Sequence, residues 1–217
     1  MRTKLTTPRW VACRRGVTAA LIAAVALLTS IAVANAANRW EQEDVVGQGP
    51  NGPTVAVDGA AIRRTTNGVT ASLSVPTPVP GSYTYPVGPT GSGVAGHPEV
   101  FSLWVFIFFN PEACEGDCDG PDLQTNPGVV AGAFNAGGHV VGGPALTLTG
   151  HVNHRSTVFG GPMAESLGTA VDLGYDLAAA EIHLAVAPHG ALDPDLLPAS
   201  ISTPVGNPSF WWLAFFK

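Results

Sequence analysis

Basic residues are scarce in this sequence, and they are scarcest over residues 37–217. The chain of 217 residues contains ten Lys and Arg against sixteen Asp and Glu. Residues 1–36 hold five of the basic residues, so residues 37–217 carry five basic and sixteen acidic side chains, a formal net charge of −11. Because neutralising phosphates requires Lys and Arg, we expect no nucleic-acid partner. A bound cation or a cationic partner is electrostatically easier.

Familiar catalytic motifs are also missing. The sequence contains no Gly-x-Ser-x-Gly, no His-Glu-x-x-His and no glycine loop followed by Lys and Ser or Thr. The glycine-rich stretch GGHVVGGP lacks that Lys and predicts a turn, a strand and a second turn. We therefore expect no catalytic residue and favour a protein that is not an enzyme. A pair of carboxylates that hydrolyses glycosides remains an alternative, because the two members of such a pair are distant in sequence.

Long apolar runs are confined to the N-terminus. Residues 17–33 are almost entirely apolar, follow a basic leader and precede Ala34-Asn35-Ala36. This order predicts a signal peptide over residues 1–36, cleaved after Ala36, and therefore a secreted or extracytoplasmic protein. An uncleaved membrane anchor is the alternative, since the run approaches the ~20 residues that span a bilayer. No later apolar segment is that long, so we expect no membrane span after cleavage.

Cysteine is nearly absent, and two of the three cysteines lie beyond residue 36. Export to an oxidising compartment favours a disulfide between this pair, Cys114 and Cys118. The loop that it closes is small, so its stabilising effect would be modest. A metal-binding pair is the alternative.

Helical periodicity is weak in the remaining chain, whereas turn-forming residues are abundant. The chain has 26 Gly and 19 Pro, which interrupt long helices. Asp58-Gly59 and Asn67-Gly68 predict tight hairpin turns, because these residues tolerate a positive φ. Residues 69–75, 145–152 and 181–188 alternate apolar and polar side chains, as strands with one buried face do.

Two strongly apolar segments predict buried strands. Residues 100–109 are apolar on both faces, which favours a central strand covered on both sides over a buried helix. Residues 210–216 at the C-terminus predict a packed strand, because an exposed apolar edge invites aggregation. An exposed aromatic patch for a partner is the alternative. Short helices are possible at residues 127–138 and 166–180.

Together these patterns predict a mainly β fold, a single antiparallel β-sandwich or barrel-like domain. Residues 37–98 supply hairpins and a Pro/Gly-rich connection to this domain. Residues 99–217 supply its main portion.

Acidic residues crowd the segment around the two cysteines, and this suggests a possible calcium site. Asp117, Asp119 and Gly120 fall in step with an EF-hand loop, and carboxylate oxygens are the ligands that Ca²⁺ prefers. Glu115 stands at the first loop position, however, and Asn126 at the last. A solvated acidic loop pinned by the disulfide is the favoured interpretation.

Histidines concentrate in the C-terminal half of the chain and suggest a possible zinc or copper site. The candidate ligands are His183, His189, His139 and Glu181; Glu181 and His183 are two apart on a predicted strand and share a face. His151 and His154 also lie three apart. The favoured alternative places imidazoles on the wet face of strands, because a metal needs three or four converging ligands.

Three stretches carry a resemblance to known proteins: LWVFIFFNPEAC, AGGHVVGG and AEIHLAVAPHG. Over residues 99–204 they resemble a family of uncharacterised secreted bacterial proteins. A fainter similarity extends to CHRD-type extracellular β-sandwich domains and, through them, to copper/zinc superoxide dismutase. Those patterns carry His-x-His on one strand, whereas here Glu181 replaces the first histidine, so no catalytic role is carried over.

The sequence as a whole predicts a secreted or surface-associated β module with a non-enzymatic binding or structural role. Its partner would be a cell surface, a carbohydrate or a protein, and no cofactor is expected beyond a possible Ca, Zn or Cu ion. The alternatives are a metal-dependent enzyme built on the histidine cluster and a calcium-stabilised adhesion module.

Overall fold

The structure, a computed structural model, describes residues 39–47, 49–65, 68–79, 83, 98–153, 177–197, 201 and 211–217. These residues belong to one compact unit, Ala37–Lys217. The predicted signal peptide over residues 1–36, His154 and most of residues 80–97 and 166–176 lie outside the described residues.

The described chain is mainly β, with one antiparallel sheet of eight strands that nearly closes into a barrel. The strands are β1 (Trp40–Val46), β2 (Thr54–Thr65), β3 (Gly68–Pro76), β4 (Glu99–Phe108), β5 (Ala131–Val141), β6 (Ala145–Asn153), β7 (Glu181–Ala191) and β8 (Trp212–Phe216). Their order across the sheet is β5-β4-β7-β8-β1-β2-β3-β6. A short helix, α1 (Gly120–Thr125), follows β4. The predicted fold class is confirmed, in its barrel-like form.

Local sequence patterns account for several strands directly. β2 and β3 form the hairpin predicted at Asn67-Gly68, with Thr65 opposite Gly68. β3 and β6 pair over their full lengths and alternate buried and accessible residues as predicted. The C-terminal aromatic segment forms β8, packed between β7 and β1, so the prediction of a packed strand is confirmed.

Two local predictions are wrong, and strand pairing explains both. Asp58-Gly59 is not a hairpin turn; it lies inside β2, where the positive φ of Asp58 accompanies a register shift against β1. The helix considered at residues 127–138 is instead largely β5, which pairs with β4 along its length. Because β4 is apolar on both faces, it lies inside the sheet and needs a partner on each edge, and that demand outweighs a weak local pattern.

The central strand β4 is buried on both faces, as predicted. Its inward side chains fill the barrel: Phe101, Leu103, Val105 and Ile107. Its outward apolar side chains form a second cluster: Trp104, Phe106 and Phe108 pack with Trp211, Leu213 and Cys118. The chain between β4 and β5 therefore covers one side of the barrel with an outer layer.

Polar side chains occupy both ends of the barrel. At one end the Arg64 guanidinium donates to the Glu41 carboxylate at 2.8 and 3.0 Å, and to the carbonyls of Leu177 and Ala180. At the other end the Tyr83 hydroxyl donates to Glu99 at 2.8 Å. Each end is thus closed by a charged group whose hydrogen bonds are satisfied inside the protein.

The barrel has a seam where its two edge strands, β5 and β6, meet. No ladder joins them in the part of the chain that the structure describes. The two backbones come very close at Gly150, because a Cβ on this residue would lie 1.9 Å from the carbonyl oxygen of Ala136. Glycine at position 150 therefore permits the close approach of the two backbones.

Candidate functional site

Glu181 and His183 form a buried pair on the outward face of β7. The His183 Nε2 lies 2.7 Å from the Glu181 Oε1, and each residue is 7% exposed. The imidazole is enclosed by two rings, Phe108 at 4.9 Å and Phe215 at 4.7 Å between centroids. The expectation that this imidazole lies on a wet face is wrong, because the outer layer covers that face.

An ion pair lies close to this contact, at the surface of the outer layer. The Lys217 Nζ is 2.5 Å from the Asp117 Oδ1, and both side chains are exposed. The hydrogen bond and charge of Lys217 lower the pKa of Asp117, to which His183 adds a smaller effect. The hydrogen bond that Lys217 donates to Asp117 raises the pKa of Lys217; burial opposes this shift, and the charges of Asp117 and Glu181 add to it. Asp117, one of the two possible calcium ligands, is thus paired with a cation.

His189 lies near the other end of β7 and is fully buried. It is the extra residue of a β-bulge in β7, followed by Gly190 with a φ of 84°. Its Nε2 lies 2.8 Å from the Ser102 Oγ, which also accepts the indole N–H of Trp104 at 2.9 Å. The Ser–His contact resembles a nucleophile and base, but neither side chain is exposed to a substrate, so its role is to satisfy buried polar groups.

The four predicted zinc or copper ligands are not gathered at one point. Glu181 and His183 meet, whereas the contact of His189 with Ser102 lies four β4 positions away, about 13 Å at the usual strand rise. His139 is exposed on β5. Among the described residues, one group of three potential metal ligands lies within mutual reach: Cys114, Cys118 and Asp122.

That group is not a thiolate site, because its cysteines form the predicted disulfide. The two Sγ atoms are 2.08 Å apart. Asp119 caps α1 by accepting the N–H of Asp122, and Asp122 accepts the N–H of Asp119 in return. The acidic segment is thus held by the disulfide and a reciprocal helix cap. Calcium binding at Asp117 and Asp119 stays a prediction.

The Asp122 carboxylate makes the stability of this segment dependent on pH. Burial raises the pKa of Asp122, but hydrogen bonds from Asn126 and from the N–H groups of Asp119 and Glu115 outweigh it, so the pKa lies below the ordinary 3.8. A lowered folded-state pKa contributes stability that is present above the unfolded pKa and lost as pH falls through the folded one.

We expect Asp122→Asn to lower the free energy of unfolding by about 1 kcal/mol at neutral pH, the usual cost of weakening a helix cap. The difference from the wild type should shrink below about pH 4, where the native carboxylate also becomes protonated. Urea denaturation at several pH values measures this difference in the free energy of unfolding. The exposed Glu112→Gln serves as the control, and a difference that is constant from pH 7 to pH 3 would contradict the assignment.

A polar face that was not among the predicted sites lies on β3 and β6. We call it the hydroxyl face: Thr70, Ser72 and Ser74 on β3, with Thr147, Thr149 and His151 on β6. Each β3 side chain meets its β6 partner, Thr70 and His151 at 3.1 Å, Ser72 and Thr149 at 3.1 Å, Ser74 and Thr147 at 2.8 Å. The alternation in the sequence indicated the accessible side of each strand, but not that the two sides would pair.

The hydroxyl face continues onto β2 and β1 in a single row across the strands. Trp40 is opposite Arg63, Arg63 is opposite Thr70, and Thr70 is opposite His151. Trp40 is 48% exposed, and the Arg63 guanidinium lies over its ring at 5.7 Å from the centroid. The row therefore ends in an accessible aromatic ring and a stacked cation.

The hydroxyl face also extends to the seam of the barrel. A pocket of about 170 Å³ lies between β5 and β6, and Thr147, Thr149 and His139 contribute to its lining. The structure therefore leaves His139 and His151 accessible on β5 and β6, and buries His183 and His189 elsewhere.

No protein-family model, no curated protein and no solved structure matches this chain. The resemblance to secreted bacterial proteins and CHRD-type domains therefore stays a prediction. Among the described residues, no helix combines the length and the apolar character that crossing a membrane requires.

Proposed function

We propose that the protein is an exported, non-enzymatic binding module that holds a polysaccharide against its hydroxyl face. The observation that carries the proposal is the set of three polar pairs, in register on two adjacent strands and accessible to solvent. Export rests on the predicted signal peptide. The burial of His183 and His189 supports a role without catalysis, because a substrate cannot reach either imidazole.

The regular spacing of the hydroxyl face suits a ligand that repeats. Side chains two apart on a strand are about 6.7 Å apart, and adjacent strands are about 4.8 Å apart. Each hydroxyl exchanges a bond to water for a bond to the ligand, so a single contact contributes only about 0.5–1.5 kcal/mol. Useful affinity therefore requires many contacts in series, which a sugar polymer provides and a small molecule does not.

The composition of the face also favours a sugar over a protein partner. β3 and β6 contain no Asp, Glu, Lys or Arg, and the accessible side chains from position 70 to 74 and from 147 to 151 are hydroxyl or imidazole groups. Protein interfaces usually have an apolar centre, which this surface lacks. Trp40 at its margin offers a flat ring against which the C–H face of a sugar can pack.

Affinity electrophoresis of the purified chain in gels containing glucan, xylan, galactan or polygalacturonate tests the proposal. We expect retardation by at least one polymer. The triple variant Thr70→Val, Thr147→Val and Thr149→Val should lose at least tenfold in affinity, because valine keeps the shape of threonine and removes the hydroxyl.

Thr54→Val removes a hydroxyl from an exposed strand position outside the face and should bind as the wild type does. Thermal denaturation of each variant separates lost binding from lost folding. Wild-type migration that no polymer alters, or undiminished binding by a folded triple variant, would refute the proposal.

A further inference from the structure

Some of the cationic side chains in the described part of the chain are bound to an acidic side chain, and others are not. Arg64 is bound to Glu41, and Lys217 to Asp117. The Arg63 side chain makes no ion pair with the described residues, and its Nε is buried without an acceptor. Arg39 and Arg63 have no ion pair with the described residues, and of these two Arg63 lies in the row that crosses the hydroxyl face.

We infer that the polysaccharide is acidic and that Arg63 binds its carboxylate groups, an inference that rests on the proposed function. A planar guanidinium can donate two parallel hydrogen bonds to one carboxylate, and such bonds are stronger than those between neutral groups. Stacking on Trp40 holds the guanidinium in place before a ligand arrives, so less conformational entropy is lost on binding.

The position of Arg63 fits a carboxylate carried on a sugar ring. On one side of it lies the ring of Trp40, and on the other lie Thr70 and His151 in the same row. At about 4.8 Å between strands the row is about 14 Å long, which spans more than one sugar unit. A carboxylate on Arg63 therefore leaves neighbouring sugar hydroxyls beside Thr70 and the next row of Ser72 and Thr149.

The acidity of the whole chain does not exclude an acidic ligand. Residues 37–217 carry a formal charge of −11, which repels polyanions at long range. At physiological ionic strength, however, charges beyond about 8 Å are largely screened, so the charges of the face itself decide. Two of the three rows of the face, the row of Arg63 and the next one, contain no carboxylate: the first is Trp40, Arg63, Thr70 and His151, and the second is Gln42, Ala61, Ser72 and Thr149.

Polygalacturonate and its methyl-esterified form provide a matched pair of probes, because esterification removes the charge and keeps the backbone. We expect the wild type to bind the acidic polymer at least tenfold more tightly, and rising salt to reduce the difference. Arg63→Gln should abolish the preference while weak binding to the ester remains. Arg63→Lys should recover part of it, because lysine keeps the charge and loses the planar fork.

Lys217→Gln changes the net charge equally but lies outside the face, and should bind as the wild type does. Equal affinity for both polymers in the wild type, or no effect of Arg63→Gln in a folded protein, would overturn this inference and leave the proposed function intact. Binding to neither these polymers nor the neutral ones would overturn both. Two further results would also overturn the inference: binding only to phosphatidylglycerol vesicles, or a dimer that Arg63→Gln dissociates.

Discussion

Arg64→Met is expected to lower the free energy of unfolding by about 3 kcal/mol. The Arg64 side chain is 6% exposed and donates to Glu41 and to the carbonyls of Leu177 and Ala180. Methionine fills similar volume but donates nothing, so two buried carbonyl groups lose a partner at about 1–3 kcal/mol each. Glu41 is 33% exposed and can be rehydrated, which keeps the loss at the lower end of the range for a broken buried ion pair.

Urea denaturation at pH 7 measures this loss, and the neighbouring arginine provides the control. Arg63 lies on the opposite side of the same strand and makes no ion pair with the described residues. Arg63→Met should therefore cost less than about 1 kcal/mol, as surface substitutions do. If the two variants were equally stable, the closure of the barrel end by Arg64 would be refuted.

His183→Phe is expected to lower the free energy of unfolding by about 3–5 kcal/mol, because it leaves the Glu181 carboxylate buried without its partner. Adding Glu181→Leu should restore most of the lost free energy of unfolding, since replacing both members of a buried ion pair with apolar residues is often neutral or stabilising. Phenylalanine suits the site because the imidazole already packs between two aromatic rings.

The double variant separates a structural pair from a functional one. If the pair is structural, the double variant folds, binds polysaccharide as the wild type does and has an unchanged metal content. If the loss of stability in the double variant equals the sum of the losses in the two single variants, the two residues are not coupled. Stoichiometric zinc or copper in the wild type that disappears in the folded double variant would favour the metal-dependent alternative.

The Arg64 variant and the His183/Glu181 double variant test different parts of the molecule. Arg64 and Glu41 close the end of the barrel, whereas Glu181 and His183 lie between β7 and the outer layer that contains the disulfide. The hydroxyl face lies in neither of these two places. We therefore expect stability and polysaccharide binding to respond independently to substitutions in these three places.

The sequence by itself determined those features that depend on neighbouring residues. The alternation over residues 69–75 and 145–152 identified the buried side of β3 and β6, because successive side chains of a strand point to opposite faces. The apolar run of β4 predicted a strand covered on both sides. Asn67-Gly68 predicted the β2–β3 hairpin, and the predicted export to an oxidising compartment favoured the disulfide between Cys114 and Cys118.

Tertiary structure alone decided which polar side chains meet and which are buried. Alternation along β7 shows that Glu181 and His183 share a face, but not that a segment some sixty residues earlier covers it. The pairing of Thr70 with His151 depends on the register of two strands that are 81 residues apart. A local pattern carries no information about which distant segment will cover or adjoin it, so the buried pair and the hydroxyl face emerge only once the sheet has assembled.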